Sequence, residues 1–408
     1  MVALEIKCIR NTGVLQAMIQ IHKYATTHPT LRCDESYPAT DVDNNTNIAS
    51  DSDDDIPLSH FVKYRKKSNH WVQEDITSKL PSWQKECVAN NNAQTLDMFY
   101  LFFDDELWQM ITNFTNLYAV QHNRNGDISI DEIKCFFGVL IYSGYTSVSR
   151  RSLYWENCSD AHHNIVYEAI SRNRFNFIMQ NLHCNDNTHL DLHNKFSKIN
   201  PLLNHLSQKF IEHAPLQENH SVDEFMIPYF GRHGSKQFIR GKPIRWGYKF
   251  WMATTTKGYI EWFEPYQGSS TNLDERYKDL GLGTSVVLSF VDKLVSEKGR
   301  LPFHLYFDNF FSSWDLLLVL RDRGIKAIRT LRENRITVPV IKSGLDLKKT
   351  ERGCFEYALE KTENILVCKW NDNNIVTMCS NCESVFPTHT VSRFSQKEKK
   401  KYLYFNQK

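Results

Sequence analysis

Ser221-Val222-Asp223-Glu224-Phe225 and Leu305-Tyr306-Phe307-Asp308-Asn309 are the stretches on which the reading of this chain turns. Each sets an aspartate at the end of an apolar or aromatic run, and the two aspartates are 85 residues apart. Asp223 opens one expected strand and Asp308 closes another. If those strands are neighbours, their carboxylates meet. Hard divalent cations favour such oxygen ligands. Two ions about 3.5–4 Å apart can activate an attacking oxygen and stabilise a leaving one. The cation also neutralises carboxylates that would otherwise repel. Such a site normally needs a third carboxylate. Taken singly, each aspartate reads equally as a strand-end cap.

Between the two lies a basic segment with Arg232, Lys236, Arg240, Lys242, Arg245 and Lys249 and no acid. Phe238, Trp246 and Tyr248 are interleaved with these cations. Cations suit phosphates and aromatic rings can stack on bases. A solvated basic face has the same composition.

Outward from this segment the pattern is α/β. Aromatic and β-branched runs predict strands over Val222–Phe230, Tyr248–Thr255, Tyr259–Pro265, Phe303–Phe307 and Ile325–Thr330. Helices are expected over Thr284–Ser296 and Ser312–Arg323. Strands with interposed helices indicate a mixed sheet. Upstream, helical spacing begins near Leu96 and continues over Ile130–Ser143, Asn164–Leu182 and Phe196–Glu212, with Ser129 or Asp131 as a cap. Downstream, Ile365–Trp370 and Ile375–Cys379 flank Asn371-Asp372-Asn373-Asn374, a polar hairpin turn.

The 408 residues are 41% hydrophobic with a net charge of +2, so the chain can bury a sizeable core and its overall charge implies no nucleic-acid partner. Ten cysteines without a secretory signal read as reduced thiols, and no apolar run is long enough for a membrane span. Residues 1–32 read as a weakly helical N-terminal segment and 33–94 as an acidic, polar, disordered linker, most clearly over Cys33–Pro57. A helical region for dimerisation or DNA binding is expected over 95–215 and a catalytic core over 216–335. A β-rich insertion over 336–392 and a basic tail over 393–408 complete the division.

Two segments imitate metal sites. Cys379-Ser380-Asn381-Cys382 has the spacing of half a zinc site, but a second pair is missing and free thiols are the better reading. Gln121 to Glu132 resembles a calcium loop with Gly126 and Glu132 correctly spaced. Its uncharged ligand positions instead favour an interhelical turn.

Asp223-Glu224-Phe225-Met226-Ile227-Pro228-Tyr229-Phe230-Gly231-Arg232 resembles the first-aspartate motif of the piggyBac transposase family. Lys242-Pro243-Ile244-Arg245-Trp246-Gly247-Tyr248-Lys249 is similar to its basic segment, and Tyr306-Phe307-Asp308-Asn309-Phe310-Phe311 to its second-aspartate motif. Ser171-Arg172-Asn173-Arg174-Phe175 and Leu182-His183-Cys184-Asn185-Asp186-Asn187 match its helical region. The resemblance runs from about Leu96 to Arg393.

The resemblance implies a ribonuclease-H-like core with three catalytic aspartates and Mg²⁺, in a nuclear protein that cuts DNA at transposon ends and joins it at TTAA targets. A homodimer is compatible with it. Asp223 and Asp308 stand as the first two aspartates and as metal ligands. The third is expected in a Gly-Val-Asp-x-x-Asp motif beyond the insertion, and no Gly-Val-Asp follows Asp308. Asp372 reads as a turn residue, and Asp346 and Glu351 are no better placed. The expectation is a DNA-binding relative of these transposases with impaired catalysis. An active transposase continuing beyond Lys408, or a non-enzymatic DNA- or chromatin-binding protein using the basic segment and the tail Lys397 to Lys401, are the alternatives.

Overall fold

The computed structural model describes residues 70–77, 80–84, 95–395 and 400–406, apart from 147, 159–161, 232, 269–270, 272, 312 and 333–335. The N-terminal segment 1–32, the acidic run Asp51–Asp55, Arg232 and Lys397–Lys399 lie outside the described residues. The first element corrects the linker reading of 33–94. Strand β1 (Trp71–Val72) pairs antiparallel at the edge of the main sheet, with Trp71 opposite Glu360. Trp71 and Ile76 are buried, and Trp83 lies against Phe303. A few large apolar side chains are enough to order a segment whose average composition is polar.

Six helices follow: α1 (Thr95–Tyr100), α2 (Asp105–Gln121), α3 (Ile130–Tyr145), α4 (Asn164–Ala169), α5 (Arg172–Asn181) and α6 (Asn200–Glu212). Caps set their starts. The Asp104 carboxylate accepts the Leu107 N–H at 3.0 Å. Ser129, rather than Asp131, caps α3 in a reciprocal box with Glu132. The single helix expected over Asn164–Leu182 is two helices. Ser171 takes an extended conformation and accepts the Arg174 N–H, which ends one helix and starts the next.

The sheet elements are β2 (Asn219–Pro228), β3 (Lys236–Phe238), β4 (Trp246–Thr255) and β5 (Ile260–Pro265). Then come α7 (Leu282–Lys298), β6 (His304–Phe307), α8 (Trp314–Asp322), β7 (Lys326–Leu331) and α9 (Gly344–Leu347). Strands β8 (Phe355–Glu360), β9 (Ile365–Asn371) and β10 (Ile375–Ser380) complete a ten-stranded sheet. The order is β1-β8-β9-β10-β7-β6-β2-β4-β3, with β5 also on β4. β6 runs parallel to both β2 and β7, and the outer pairings are antiparallel. This is the mixed α/β fold expected.

The strands of 336–392 are continuous with this sheet, because β10 pairs with β7. The basic tail also differs from expectation. The backbone of β11 (His389–Ser395) and β12 (Lys400–Asn406) forms a two-stranded hairpin. Its sequence, with Val391, Phe394, Tyr402, Tyr404 and Phe405, has the composition of strands despite the lysines.

At β4 both faces of the sheet are covered. Along β4, Tyr248, Phe250 and Met252 join one core with the helical block, while Trp251 and Ala253 join another with α7 and α8. Among the described residues no helix is long and apolar enough to cross a membrane. Trp71 meets Trp314 edge-on at 6.0 Å between ring centroids. Trp71→Ala should therefore lower stability by about 3 kcal/mol, the scale of a buried Trp truncation. Chemical denaturation of the full chain measures this, and an unchanged midpoint would argue that β1 is not bound to the sheet.

Candidate active site

The parallel register of β2 and β6 sets Ser221 opposite Tyr306 and Val222 opposite Phe307. The next step along both strands sets Asp223 beside Asp308. Asp308 ends the strand and turns back, accepting the Phe310 N–H at 2.9 Å. Gly283 at the start of α7 lets this turn pack closely, since a Cβ there would sit 2.7 Å from the Phe310 carbonyl oxygen and the Phe311 Cα. Thr284 and Ser313 hydroxyls hydrogen-bond at 2.8 Å across the same contact.

A third carboxylate joins the pair. Ligand oxygens of Asp223, Glu224 and Asp308 all lie within 4.8 Å of one another. Sequence reasoning missed Glu224 because neighbours on a strand ordinarily point to opposite faces. The signal was present as two consecutive acids at the position where β2 outruns its neighbour. Asp372, weighed as a substitute, sits in the β9–β10 turn, where Arg352 Nε donates to its carboxylate at 2.9 Å. Asp346 hydrogen-bonds Ser343 at the start of α9. Among the described residues neither these nor Glu351 joins the carboxylate cluster.

The cluster is electrostatically strained. Desolvation by the surrounding chain, and then the adjoining Glu224, push the Asp223 carboxyl up, although the residue stays partly open to solvent. Burial raises Asp308 too, against the pull of the Phe310 N–H. Burial acts to raise Glu224 as well, but the hydrogen bond with Asp223 and the Lys242 ammonium hold it below the usual carboxylate range. Lys242 Nζ is 2.8 Å from Glu224. Three oxygen donors with a proton retained near neutrality form a site that gains by exchanging that proton for a cation. The donor set fits Mg²⁺, which takes carboxylate oxygens and keeps several waters. Asp223 and Asp308 are the side chains available to hold it, with Glu224 beside them and paired to Lys242.

The basic run divides among several roles. Arg240 and Arg245 are exposed in the loop between β3 and β4, closed by Ile239 N–H donating to the Arg245 carbonyl at 2.9 Å. Lys242 reaches from that loop to Glu224. Lys236 stands 5.0 Å from the Trp246 ring centroid. Lys249 is held among Trp251, Tyr266 and Phe310, at 4.0, 4.4 and 5.0 Å from their ring centroids. The β4 alternation carries it into this aromatic cage. Phe238 and Trp246 pair across the β3–β4 edge at 4.7 Å, each over two-fifths exposed.

The model of the Transposase IS4 family matches residues 94–407. The chain belongs to this family, in its piggyBac branch. It is 40% identical over 377 residues to human PiggyBac transposable element-derived protein 2, covering 90% of this chain and 61% of that protein. Human PiggyBac transposable element-derived protein 3 is 40% identical over 364 residues, with 86% and 61% covered. The chain thus spans about three-fifths of the length of these curated relatives. A cryo-EM structure of a piggyBac transposase synaptic complex with hairpin DNA has the same fold, with a TM-score of 0.59 and 20% identity. That match covers 76% of this chain and 64% of the other.

In this piggyBac-type chain the calcium-like loop is structural. Arg174 pairs with Glu132 at 2.6 Å and with Asp127 at 2.9 Å, so the acids that imitate metal ligands tie α5 to α3. The Cys379–Cys382 pair is also split: Cys379 belongs to the apolar core and Cys382 faces His304. Cys379 and Cys382 are reduced and form no disulfide.

A metal-free carboxyl whose folded pKa is raised favours folding below its ordinary range and costs stability as pH rises through the folded value. Asp223→Asn should therefore raise the melting temperature of the metal-free chain at neutral pH, with a gain that shrinks through mild acid and vanishes below about pH 4. Mg²⁺ affinity should increase between about pH 6 and about pH 8, because the ligand must lose its proton. Melting curves and Mg²⁺ titrations across that range check both, and pH-independent Mg²⁺ binding would contradict the assignment.

Proposed function

We propose that the chain is a piggyBac-transposase-derived DNA-binding protein of the nucleus, related to enzymes that cut and rejoin DNA at TTAA sites. The convergence of Asp223 and Asp308 from neighbouring parallel strands carries this reading. Magnesium bound there would neutralise the carboxylates and polarise phosphate oxygens. Asp308 is oriented for this role by the Phe310 N–H. Asp223, whose carboxyl is raised in the metal-free site, would give up its proton to hold the cation.

Glu224 is committed to Lys242 at 2.8 Å. Two aspartates are left to position both oxygens of an in-line displacement, where the family resemblance implies three. Groups that act as a unit fail together when one is removed. Strand cleavage that rests on Asp223 and Asp308 alone is accordingly weak. Binding is the stronger activity, with the exposed Arg240 and Arg245 meeting phosphates and Phe238 and Trp246 offering stacking surface.

Fluorescence anisotropy on a short duplex tests the binding half. Affinity should fall steeply with salt, and Arg240→Ala and Arg245→Ala should each reduce the logarithmic salt slope by about 1. A salt-independent isotherm would sink it. An excision assay with a transposon-end donor and Mg²⁺ tests the catalytic half: traces of product are expected, and efficient cutting by this chain would overturn weak catalysis while leaving binding intact.

A further inference from the structure

We propose that His304, Cys382 and Glu383 form a zinc site, at the end of β6 opposite the carboxylate cluster. His304 opens β6 and Asp308 follows its last residue, so the strand separates the two sites. His304 Nε2 lies 3.6 Å from Cys382 Sγ. Zinc bonds of about 2.3 Å to sulfur and about 2.0–2.1 Å to nitrogen at a tetrahedral angle put the two ligands about 3.6 Å apart. A Glu383 oxygen completes a set whose ligand atoms all lie within 4.8 Å of one another. Water would take the fourth position.

The surroundings are built for this. Tyr306 donates its hydroxyl to Asn219 Oδ1 at 3.2 Å, which leaves the phenolic oxygen to accept the His304 Nδ1–H at 3.1 Å. Nε2 then carries the lone pair and points at sulfur. Such an outer hydrogen bond fixes the tautomer of metal-binding histidines. Ser380 Oγ accepts the Cys382 and Glu383 N–H groups at 3.1 and 2.8 Å. Asn381 anchors the segment, accepting the Ala327 N–H at 2.8 Å and donating to the Ile325 carbonyl at 3.0 Å. His304 and Cys382 are more than nine-tenths buried, while the Glu383 side chain is half exposed. The nearby Lys326 is paired with Glu218 at 2.8 Å. Thiolate, imidazole and carboxylate together select zinc over magnesium. Binding is a balanced exchange: the Cys382 thiol proton leaves to solvent as the sulfur–zinc bond forms.

Zinc titration of the full chain by calorimetry, in two buffers of different ionisation enthalpy, reads stoichiometry, affinity and proton release. One zinc should be lost in Cys382→Ser and retained in Cys379→Ser, whose thiol lies in the apolar core. Glu383→Gln should weaken the site at least about tenfold. Cobalt in place of zinc should give a thiolate charge-transfer band that disappears only with Cys382. Equal zinc stoichiometry in wild type and a folded Cys382→Ser would overturn the site. Should Cys382→Ser misfold, an unchanged zinc affinity in Glu383→Gln would overturn it instead.

Discussion

The parallel pairing of β2 with β6 is the constraint on which the rest of the molecule depends. β6 has only four residues, His304–Phe307, whereas β2 has ten. The pairing covers Asn219 to Val222, so β2 beyond Val222 has a neighbour only on its β4 side. That overhang opens a polar notch at the end of β6. Asp223 and Glu224 occupy the first two overhanging positions, and Asp308 turns away from the last rung. Ligands of α/β sheets gather outside strand ends for the same reason. The absence of a neighbour also lets Glu224 approach carboxylates from which strand alternation would separate it.

Placing three acids in one notch creates an electrostatic demand that the chain meets locally. Lys242 supplies one positive charge, and Asp223 retains a proton near neutrality. The loop that delivers Lys242 also carries Arg240 and Arg245, which remain exposed. One element thus balances the acids and presents cations outward. Lys249 shows the limit of reading function from a basic run. Caged by three aromatic rings, its charge is spent inside the fold, where cation–π attraction is strongest.

Sequence patterns located the helices and core strands well because their apolar periodicity is long and regular. The aspartate pair was legible for the same reason, as each residue marks where such a run begins or ends. Other features depended on tertiary context. Trp71 and Ile76 are isolated apolar residues in a polar stretch, and only the β8 edge and the core beside it give them a partner. The hairpin of β11 and β12 hid behind lysine-rich composition, which signals solvation more strongly than pairing. Glu224 required knowing that β6 is short. The break before Ser171 was legible in principle, since a serine two residues after Ala169 is a helix N-cap signal, but the continuous apolar pattern around it masked the interruption.

The two ends of β6 ask for different chemistry from one strand. At its far end hard oxygen donors gather around Asp308, suited to Mg²⁺. At its start a sulfur, an imidazole nitrogen and one carboxylate gather around His304. Donor softness keeps the two ions from competing for one site. At about 3.3 Å per residue, the strand separates them by roughly 13 Å, far enough for each to be tuned by its own surroundings. Yet they are mechanically joined. β6 is held between β2 and β7 by few rungs, and its register decides whether Asp308 meets Asp223. A clip on His304 from the segment after β10 would pin that register at the end where Asn381 already grips Ala327 of β7. The strands beyond β7, read from sequence as an insertion, thereby become the part of the sheet that holds the carboxylate pair in alignment.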